Sequence, residues 1–350
     1  MNSLAGSADI AVIVPFFNRS GTIHDALASI AGQTLPAKQV VLIDDGSTDD
    51  GPRLAREWAD QLGGRLRCQL VQQENAGAAA ARNRGLQLTG AVQFVAFLDS
   101  DDTWPADFLQ RTHAALALNP QAVAASCDRR FVYADGRRSK IDDCAELAAC
   151  PVIWMLAHGG GLVSSTLFRR SALVRHGGFD PALAVGEDAA LFLRVSLDGP
   201  WSHVPGEAAV LNNGLAKRRG SEGNLSQKYA DREFRTAQIF EEFFTTGGGQ
   251  PFLSLARCRR RLARRWRKAG VELYRSGNLD AALASFERSK SWNPWRPACY
   301  LWMYRTRLAM RGRRWSSAAA IAPRAANEPD TSAIRGPNVH RDSKSLVARP

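Results

Sequence analysis

The sequence predicts an α/β fold, in which a mostly parallel central sheet has flanking helices and is followed by an α-helical C-terminal extension. Two observations carry this prediction. Over the first hundred residues, nearly continuous apolar segments alternate with segments of helical periodicity. Continuous apolar strands are typical of parallel sheets that are covered on both faces. From about residue 225 onward, only helical patterns occur.

The first part of the chain contains four predicted strands with three helices between them. The strands are IAVIVPFF, QVVLIDD, RCQLVQQ and VQFVAFLDSDD, and the helices are GTIHDALASIAGQ, GPRLAREWADQL and AGAAAARNRGLQL. The later elements are helices over 105–118 and 145–158, strands over 121–135 and in GGGLVSSTLFRR, and helices in SALVRHGGFD and GEDAALFLRVSLDG. The polar segment LNNGLAKRRGSEGNLS is predicted to be a loop.

The pattern divides the chain into an α/β domain (1–224), a helical region (225–317) and a disordered tail (318–350). Within the helical region, 266–294 resembles one tetratricopeptide repeat. The residues at that repeat's positions are Trp266, Gly270, Ala282, Phe286 and Pro294. Because about three repeats are needed for a stable solenoid, a plain helical hairpin packed on the α/β domain is an equal alternative.

Composition indicates a globular intracellular protein. The chain has 350 residues with 45% apolar content, enough for one large domain or two moderate ones. No apolar run approaches the ~18 residues that cross a bilayer, and the N-terminus lacks the basic start and apolar core of a signal peptide. The six cysteines show neither disulfide nor zinc spacing, so we expect reduced thiols and a cytoplasmic location.

Charge is concentrated at the C-terminal end, where residues 251–350 hold 22 Lys+Arg against 6 Asp+Glu. The basic helix of residues 253–268 could make peripheral contact with an anionic membrane, or its apolar residues Leu255, Leu262 and Trp266 could pack on the body. A non-catalytic scaffold or binding module is a further alternative for this region. Nucleic acid is not an expected partner, because no nucleic-acid-binding fold is recognisable.

Polar residues collect at the ends of the predicted strands. Pro15 to Asn18 end the first strand, Asp44 and Asp45 end the second, and Asp99 to Asp102 end the fourth. The segment NAGAAAARNRG begins just after the third strand. In an open parallel sheet, ligands bind outside the carboxyl ends of the strands. The sequence therefore predicts one ligand site at this edge.

The predicted site lacks the loops that usually hold phosphates. The first strand-to-helix turn, VPFFNRSGT, has no G-x-G-x-x-G pattern, and no P-loop is present. Asp99 and Asp101 supply an alternative, since two carboxylates one residue apart in an extended segment share a face. Mg²⁺ and Mn²⁺ prefer such oxygen ligands together with substrate phosphates. A divalent metal, Mn²⁺ or Mg²⁺, is the expected cofactor.

Five motifs in order, VIVPFFN, VVLIDDGSTDD, NAGAAAARNRG, FLDSDDTW and GEDAALFL, closely resemble glycosyltransferase family 2 over about residues 10–215. The resemblance implies a GT-A fold and inverting transfer of a hexosyl or N-acetylhexosaminyl group. The donor would be a nucleoside-diphosphate sugar, and the acceptor a glycan, lipid-linked or protein-linked hydroxyl, in cell-surface polysaccharide or lipopolysaccharide biosynthesis. RGRRW, residues 311–315, matches a motif of processive members but lies far beyond Asp188; non-processive transfer is expected.

The resemblance also assigns the site residues. On the nucleotide side, Pro15, Phe17 and Asn18 would line the base pocket, Asp44 would accept from the uracil of a UDP-sugar with support from Asp45, and Arg82 would lie near the nucleotide. Asp99 would hold the ribose or sugar and Asp101 the metal. Asp188 would be the catalytic base, with Glu187 supporting the base or the acceptor. Arg218 and Arg219 belong either to a lid over the diphosphate or to a solvated loop.

Overall fold

The computed structural model describes residues 8–64, 66–133, 135–213 and 231–319. The described residues up to Arg307 form one compact unit, and those from Leu308 onward belong to a second. The strands are β1 (Ala8–Phe16), β2 (Ala37–Asp44), β3 (Arg67–Gln72), β4 (Phe94–Phe97), β5 (Ala124–Tyr133), β6 (Thr166–Arg169) and β7 (Trp201–Asn213). The predicted boundary near residue 225 falls between described ranges.

Helices surround the strands in the predicted order. Those of the first part are α1 (Ile23–Ala31), α2 (Gly51–Gln61), α3 (Ala78–Leu88), α4 (Phe108–Leu118), α5 (Ala145–Ala149), α6 (Pro151–His158), α7 (Arg170–Arg175) and α8 (Glu187–Val195). The C-terminal helices are α9 (Arg232–Thr245), α10 (Ala256–Arg275), α11 (Leu279–Trp292) and α12 (Pro297–Ala319). The single helix predicted over 145–158 is divided, because Pro151 begins a new helix after the extended Cys150.

The strands form one mixed sheet in the order β3-β2-β1-β4-β6-β5-β7. Strands β1 to β4 are mutually parallel, β6 is antiparallel to both of its neighbours, and β7 runs parallel to β5. The predicted mostly parallel sheet is therefore confirmed. Sequence patterning missed β7, whose apolar alternation is interrupted by Pro205 and Gly206 at the place where its register with β5 shifts.

The register brings the ends of the first four strands to one edge. Phe16 pairs with Asp44, and Asp44 with Gln72, so β1, β2 and β3 end level. Ile13 pairs with Phe97, the last residue of β4. The acidic segments that follow β2 and β4 are consequently on the same side of the sheet, as the sequence predicted.

Alternating residues of the strands face two apolar layers. In β1, Val12 and Val14 point into the layer with α1, α2 and α4, while Ala11 and Ile13 point into the layer with α3, α6 and α8. Burial on both faces explains why these strands are continuously apolar. The second layer also takes in α9 and α10, so the first C-terminal helices share the core of the α/β part.

The hairpin of α10 and α11 packs on the body, and its likeness to a tetratricopeptide repeat stays a prediction. Leu262 and Trp266 are buried in the main core, so the apolar stripe of the basic helix is used for packing. Ser289 of α11 donates to the Ala263 carbonyl at 2.6 Å. Among the helices of the described residues, none is long and apolar enough to span a membrane.

Gly270 allows α10 and α11 to approach closely, and Gly270→Ala is expected to destabilise the hairpin. An added Cβ would lie 2.6 Å from a ring carbon of Phe286, which is fully buried. Overpacking of this kind costs about 1–3 kcal/mol. Urea unfolding measures the change, with Gly32→Ala as the control, because Gly32 has φ −81° and a nearest contact of 3.4 Å. Equal midpoints for both variants would contradict the close approach.

Candidate active site

A cleft of about 1510 Å³ opens at the carboxyl ends of β1 to β4. Eight of the residues predicted for the site line it: Pro15, Phe17, Asp45, Arg82, Asp99, Asp101, Glu187 and Asp188. Two do not, namely Asn18 and Asp44. Arg218 and Arg219 lie outside the described residues, so the predicted lid is not placed. The structure thus gathers residues predicted for the donor side and residues predicted for the base side around one cavity.

Asp45 forms part of the cleft wall, whereas its neighbour Asp44 lies behind it. Asp45 accepts hydrogen bonds from the Gln73 side chain at 2.8 Å and from the amides of Ala76 and Gly77 at 2.9 and 2.8 Å. Asp44 is fully buried and accepts from the Ser47 amide through one oxygen, while its Oδ2 has no partner. Both carboxylates are buried, but Asp45 lines the cleft and is therefore favoured for ligand contact. The role predicted for Asp44 stays a prediction.

Asn18 organises the loops beneath the cleft. It has φ 52°, a left-handed conformation that Asn adopts more readily than most residues. Its amide donates to the Ser47 hydroxyl, and its side-chain oxygen accepts from the Thr48 amide at 2.8 Å. This pairing of the β1 and β2 loops presents Arg19 to the cleft. Sequence analysis missed Arg19, which no motif distinguishes from a surface arginine.

Three carboxylates form an acidic rim after β4: Asp99, Asp101 and Asp102. Asp102 is buried and accepts from the Asn212 amide at 2.8 Å, which joins the rim to the end of β7. Burial raises the pKa of Asp101 to about 6, an effect that Arg19 opposes and Asp99 reinforces. Carboxylates that raise one another's pKa in this way suit a divalent cation, which would relieve their repulsion. The rim fits the predicted metal.

Arg82 connects the acidic rim to the base side of the cleft. Its two terminal nitrogens each lie 2.7 Å from a carboxylate oxygen, one of Asp99 and one of Glu187. The guanidinium is buried and stacks over Phe179 with 5.3 Å from Cζ to the ring centroid. Burial lowers the pKa of Arg82, but the two carboxylates raise it above its ordinary value. The contact that the sequence predicted between Arg82 and the nucleotide stays a prediction.

Asp188 lies in the first turn of α8, against a turn of three glycines that follows α6. One carboxylate oxygen accepts from the Gly161 amide at 2.5 Å and the other from the Ala189 amide at 2.7 Å. Gly160 has no room for a Cβ, which would collide with the Asp188 carboxylate. The glycine run, which the sequence analysis took only as flexible, holds this carboxylate at the cleft wall.

The basic helix α10 is hydrogen-bonded to α6, the helix that leads into the glycine turn. Arg265 donates to the carbonyls of Leu156 and Met155 at 2.7 and 3.2 Å, and Arg261 donates to the Ile153 carbonyl at 2.7 Å. The carbonyls of Met155 and Leu156 lie in the C-terminal half of α6, where cations are favourable. Burial lowers the pKa of Arg265 to about 10. Sequence patterns carried no signal for these long-range contacts.

A second acidic group lies apart from the rim. Side-chain atoms of Asp128, Asp143 and His203 lie within 4.8 Å of one another. Asp128 already accepts from His203 at 2.7 Å and from the Cys144 amide at 2.9 Å. These bonds tie β5 to β7 and to the segment before α5. We assign this structural role to the group, because Asp128 and His203 already bond to each other. Neither the spacing of the three residues nor their hydrogen bonds indicates a bound metal.

Comparison with known proteins agrees with this geometry. The family model for glycosyl transferase family 2 matches residues 11–155. The succinoglycan biosynthesis protein ExoO of Rhizobium meliloti is 32% identical over 197 residues, which are 52% of this chain and 54% of ExoO. The chain spans 35% and 39% of the length of two other curated relatives that it matches.

Solved structures show the same fold at lower identity. TarS of S. aureus in complex with UDP is 18% identical with a TM-score of 0.51, covering 82% of this chain and 93% of TarS. The mannosyltransferase PcManGT of Pyrobaculum calidifontis, in complex with GDP-Man and Mn²⁺, is 23% identical with a TM-score of 0.55, covering 90% of this chain and 84% of its own. The chain therefore has the GT-A fold of these structures, and its residues 11–155 match the family model for glycosyl transferase family 2.

Proposed function

We propose that the chain is an inverting, non-processive glycosyltransferase that moves a sugar from a nucleoside-diphosphate donor to an acceptor hydroxyl. One observation carries the proposal: the acidic rim and the Asp188 carboxylate line the same cleft, and Arg82 bridges Asp99 of the rim to Glu187, the residue before Asp188. Inverting displacement needs charge neutralisation for the leaving diphosphate on one side of the anomeric carbon. On the other side it needs a base for the acceptor proton.

The donor side is formed by the ends of β1, β2 and β4. We infer that Pro15 and Phe17 contact the nucleotide base, and that Asp45 contacts the nucleoside, in place of the fully buried Asp44. Asp99 would bind the ribose or sugar, and Asp101 would hold Mn²⁺ or Mg²⁺. When bound, this cation supplies a Lewis acid for the departing diphosphate.

On the acceptor side, Asp188 removes the proton of the attacking hydroxyl. Its carboxylate is oriented by the amides of Gly161 and Ala189, which occupy one lone pair on each oxygen. About two further lone pairs stay available for the acceptor hydroxyl. Glu187 is held by Arg82 and supports the orientation of α8 at this wall. Backbone donors thus fix the position and orientation of the Asp188 carboxylate, and they need no rearrangement during the reaction.

The two structural relatives were solved with different nucleotides, UDP in TarS and GDP-Man in PcManGT. Both kinds of sugar nucleotide are therefore candidate donors for this chain. We propose a UDP-sugar as donor and, from the likeness to ExoO, a step in polysaccharide biosynthesis. The test is release of nucleoside diphosphate from a panel of UDP- and GDP-sugars, with candidate acceptors, in Mn²⁺ or Mg²⁺. Tight sugar-nucleotide binding without release across the panel would contradict transferase activity and favour a binding module.

Asp101→Asn is expected to weaken metal activation. The amide keeps the size of the carboxylate but removes its charge, so the Mn²⁺ concentration for half-maximal activity should rise at least about tenfold. Water-proton relaxation measures Mn²⁺ binding independently of turnover. The matched control is Asp60→Asn on the exposed face of α2. Identical Mn²⁺ titrations for the variant and the wild type would remove Asp101 from the metal site.

A further inference from the structure

A second, smaller cavity of about 390 Å³ lies on the basic helix and is lined almost entirely by arginine. Its lining residues are Arg257, Arg260, Arg261, Arg264, Asn293 and Arg296. Arg261 and Arg264 also line the large cleft, so the two cavities share a wall. This arginine pocket therefore lies directly beside the cleft.

Helix geometry explains how the cations converge. Residues 257, 260, 261 and 264 follow the i, i+3, i+4, i+7 spacing, which places them along one face of α10. Arg296 reaches the same cavity from the connection between α11 and α12. The opposite face of α10 is buried, through residues such as Leu262 and Trp266. Core packing thus fixes the direction in which the arginines point.

The pocket holds almost no compensating negative charge. Among the described residues, the one carboxylate within 4.0 Å of its arginines is Glu146, at 3.9 Å from Arg261. Burial together with the neighbouring cations Arg267 and Arg264 lowers the pKa of Arg296. Five guanidinium groups facing one cavity repel each other, and a bound anion would relieve that repulsion. Arginine forks match phosphate oxygens in bidentate geometry, so a phosphate group is the favoured anion.

The position of the pocket distinguishes an acceptor phosphate from the donor diphosphate. The donor diphosphate is expected at the acidic rim after β4, whereas the arginines lie on the helix that supports the glycine turn beside Asp188. In an inverting displacement the acceptor approaches from the side of the base. We propose that the arginine pocket binds a phosphate or diphosphate group carried by the acceptor, a specificity that rests on the proposed function.

The test uses inorganic pyrophosphate as the probe, with saturating UDP or GDP present to fill the donor site. Calorimetry on the full chain should detect binding that the triple variant Arg257→Ala, Arg260→Ala, Arg296→Ala weakens at least about tenfold. Affinity for the nucleoside diphosphate itself should stay within about twofold. Unchanged pyrophosphate affinity in the triple variant, or complete competition by the nucleoside diphosphate, would overturn the proposal.

Matched variants separate the site from general charge. The control Arg56→Ala, Arg84→Ala, Arg275→Ala removes three exposed arginines that line neither cavity, and it should bind pyrophosphate like the wild type. If the alanine triple variant fails to fold, the corresponding lysine triple variant keeps the charges. It should bind more weakly than wild type, because an ammonium group cannot make the bidentate contact. Equal weakening in the exposed control would overturn a specific pocket.

Vesicle flotation identifies where the phosphate comes from. The chain is tested for flotation with phosphatidylglycerol vesicles. If pyrophosphate inhibits this flotation and the triple variant no longer floats, the phosphate is assigned to a lipid-borne acceptor. Pyrophosphate binding without flotation would assign it to a soluble acceptor; both results support the pocket. Pyrophosphate binding does not depend on turnover. A chain that binds pyrophosphate but releases no nucleoside diphosphate would therefore refute the proposed transferase activity while supporting the arginine pocket.

Discussion

Asp188→Asn should reduce kcat by about 10²–10⁴-fold, the usual contribution of a general base. The amide has nearly the shape of the carboxylate, but it cannot take the proton of the acceptor hydroxyl. Donor binding should be unchanged, because the nucleotide is expected on the other wall of the cleft. Nucleoside-diphosphate release with the acceptor found in the sugar-nucleotide panel measures kcat, and calorimetry with the nucleoside diphosphate measures donor affinity.

Folding has to be separated from chemistry in this variant. Both Asp188 oxygens accept backbone amides, and one of the two would face an NH₂ group after the substitution. We expect a stability loss of about 1–3 kcal/mol, measured by urea unfolding. Asp280→Asn, at an exposed position of α11, is the control for loss of one carboxylate. A folded Asp188→Asn enzyme with wild-type kcat would assign the base to another residue.

The sheet edge predicted for the donor could be located from the sequence, because it depends on patterns within short segments. Apolar runs that end in acidic residues give the strand ends, and parallel strands place those ends together. Asp99 and Asp101 are therefore found at the edge where the pattern put them. Asp44 shows the limit of this reasoning, since the pattern cannot tell which of two adjacent carboxylates lines the cleft. Both are buried, and only Asp45 lies on the cleft wall.

The base side depends on contacts between distant residues, which no local pattern encodes. Gly161 meets Asp188 across 27 positions, and Arg265 meets Leu156 across 109. The glycine run could be seen in the sequence, but its partner could not. Similarly, the arginines of the basic helix were visible as charge. Whether they face solvent, a membrane or the cleft is decided by the burial of their apolar neighbours in α10.

Arg82→Met is expected to destabilise the protein by about 3–5 kcal/mol, the cost of leaving buried charge without its partner. The Arg82 side chain is 6% exposed and Glu187 16% exposed, so water cannot replace the lost guanidinium at Glu187. Asp99 is 35% exposed, so water can solvate it after the substitution, and the loss of stabilisation at Asp99 should be smaller than at Glu187. Urea unfolding measures the loss. The control is Arg84→Met, two residues along the same helix at an exposed position.

A double-mutant cycle isolates the bridge from the rest of the substitution. Glu187→Gln alone removes one charge beside Arg82, and the pair Arg82→Met, Glu187→Gln removes both. If the two groups stabilise one another, the double variant should be less destabilised than the sum of the single variants by at least about 1 kcal/mol. Additive losses, or an Arg82→Met loss no larger than that of Arg84→Met, would mean that Arg82 does not couple the acidic rim to α8. In that case the two halves of the cleft would be positioned independently, by the sheet edge and by the glycine turn.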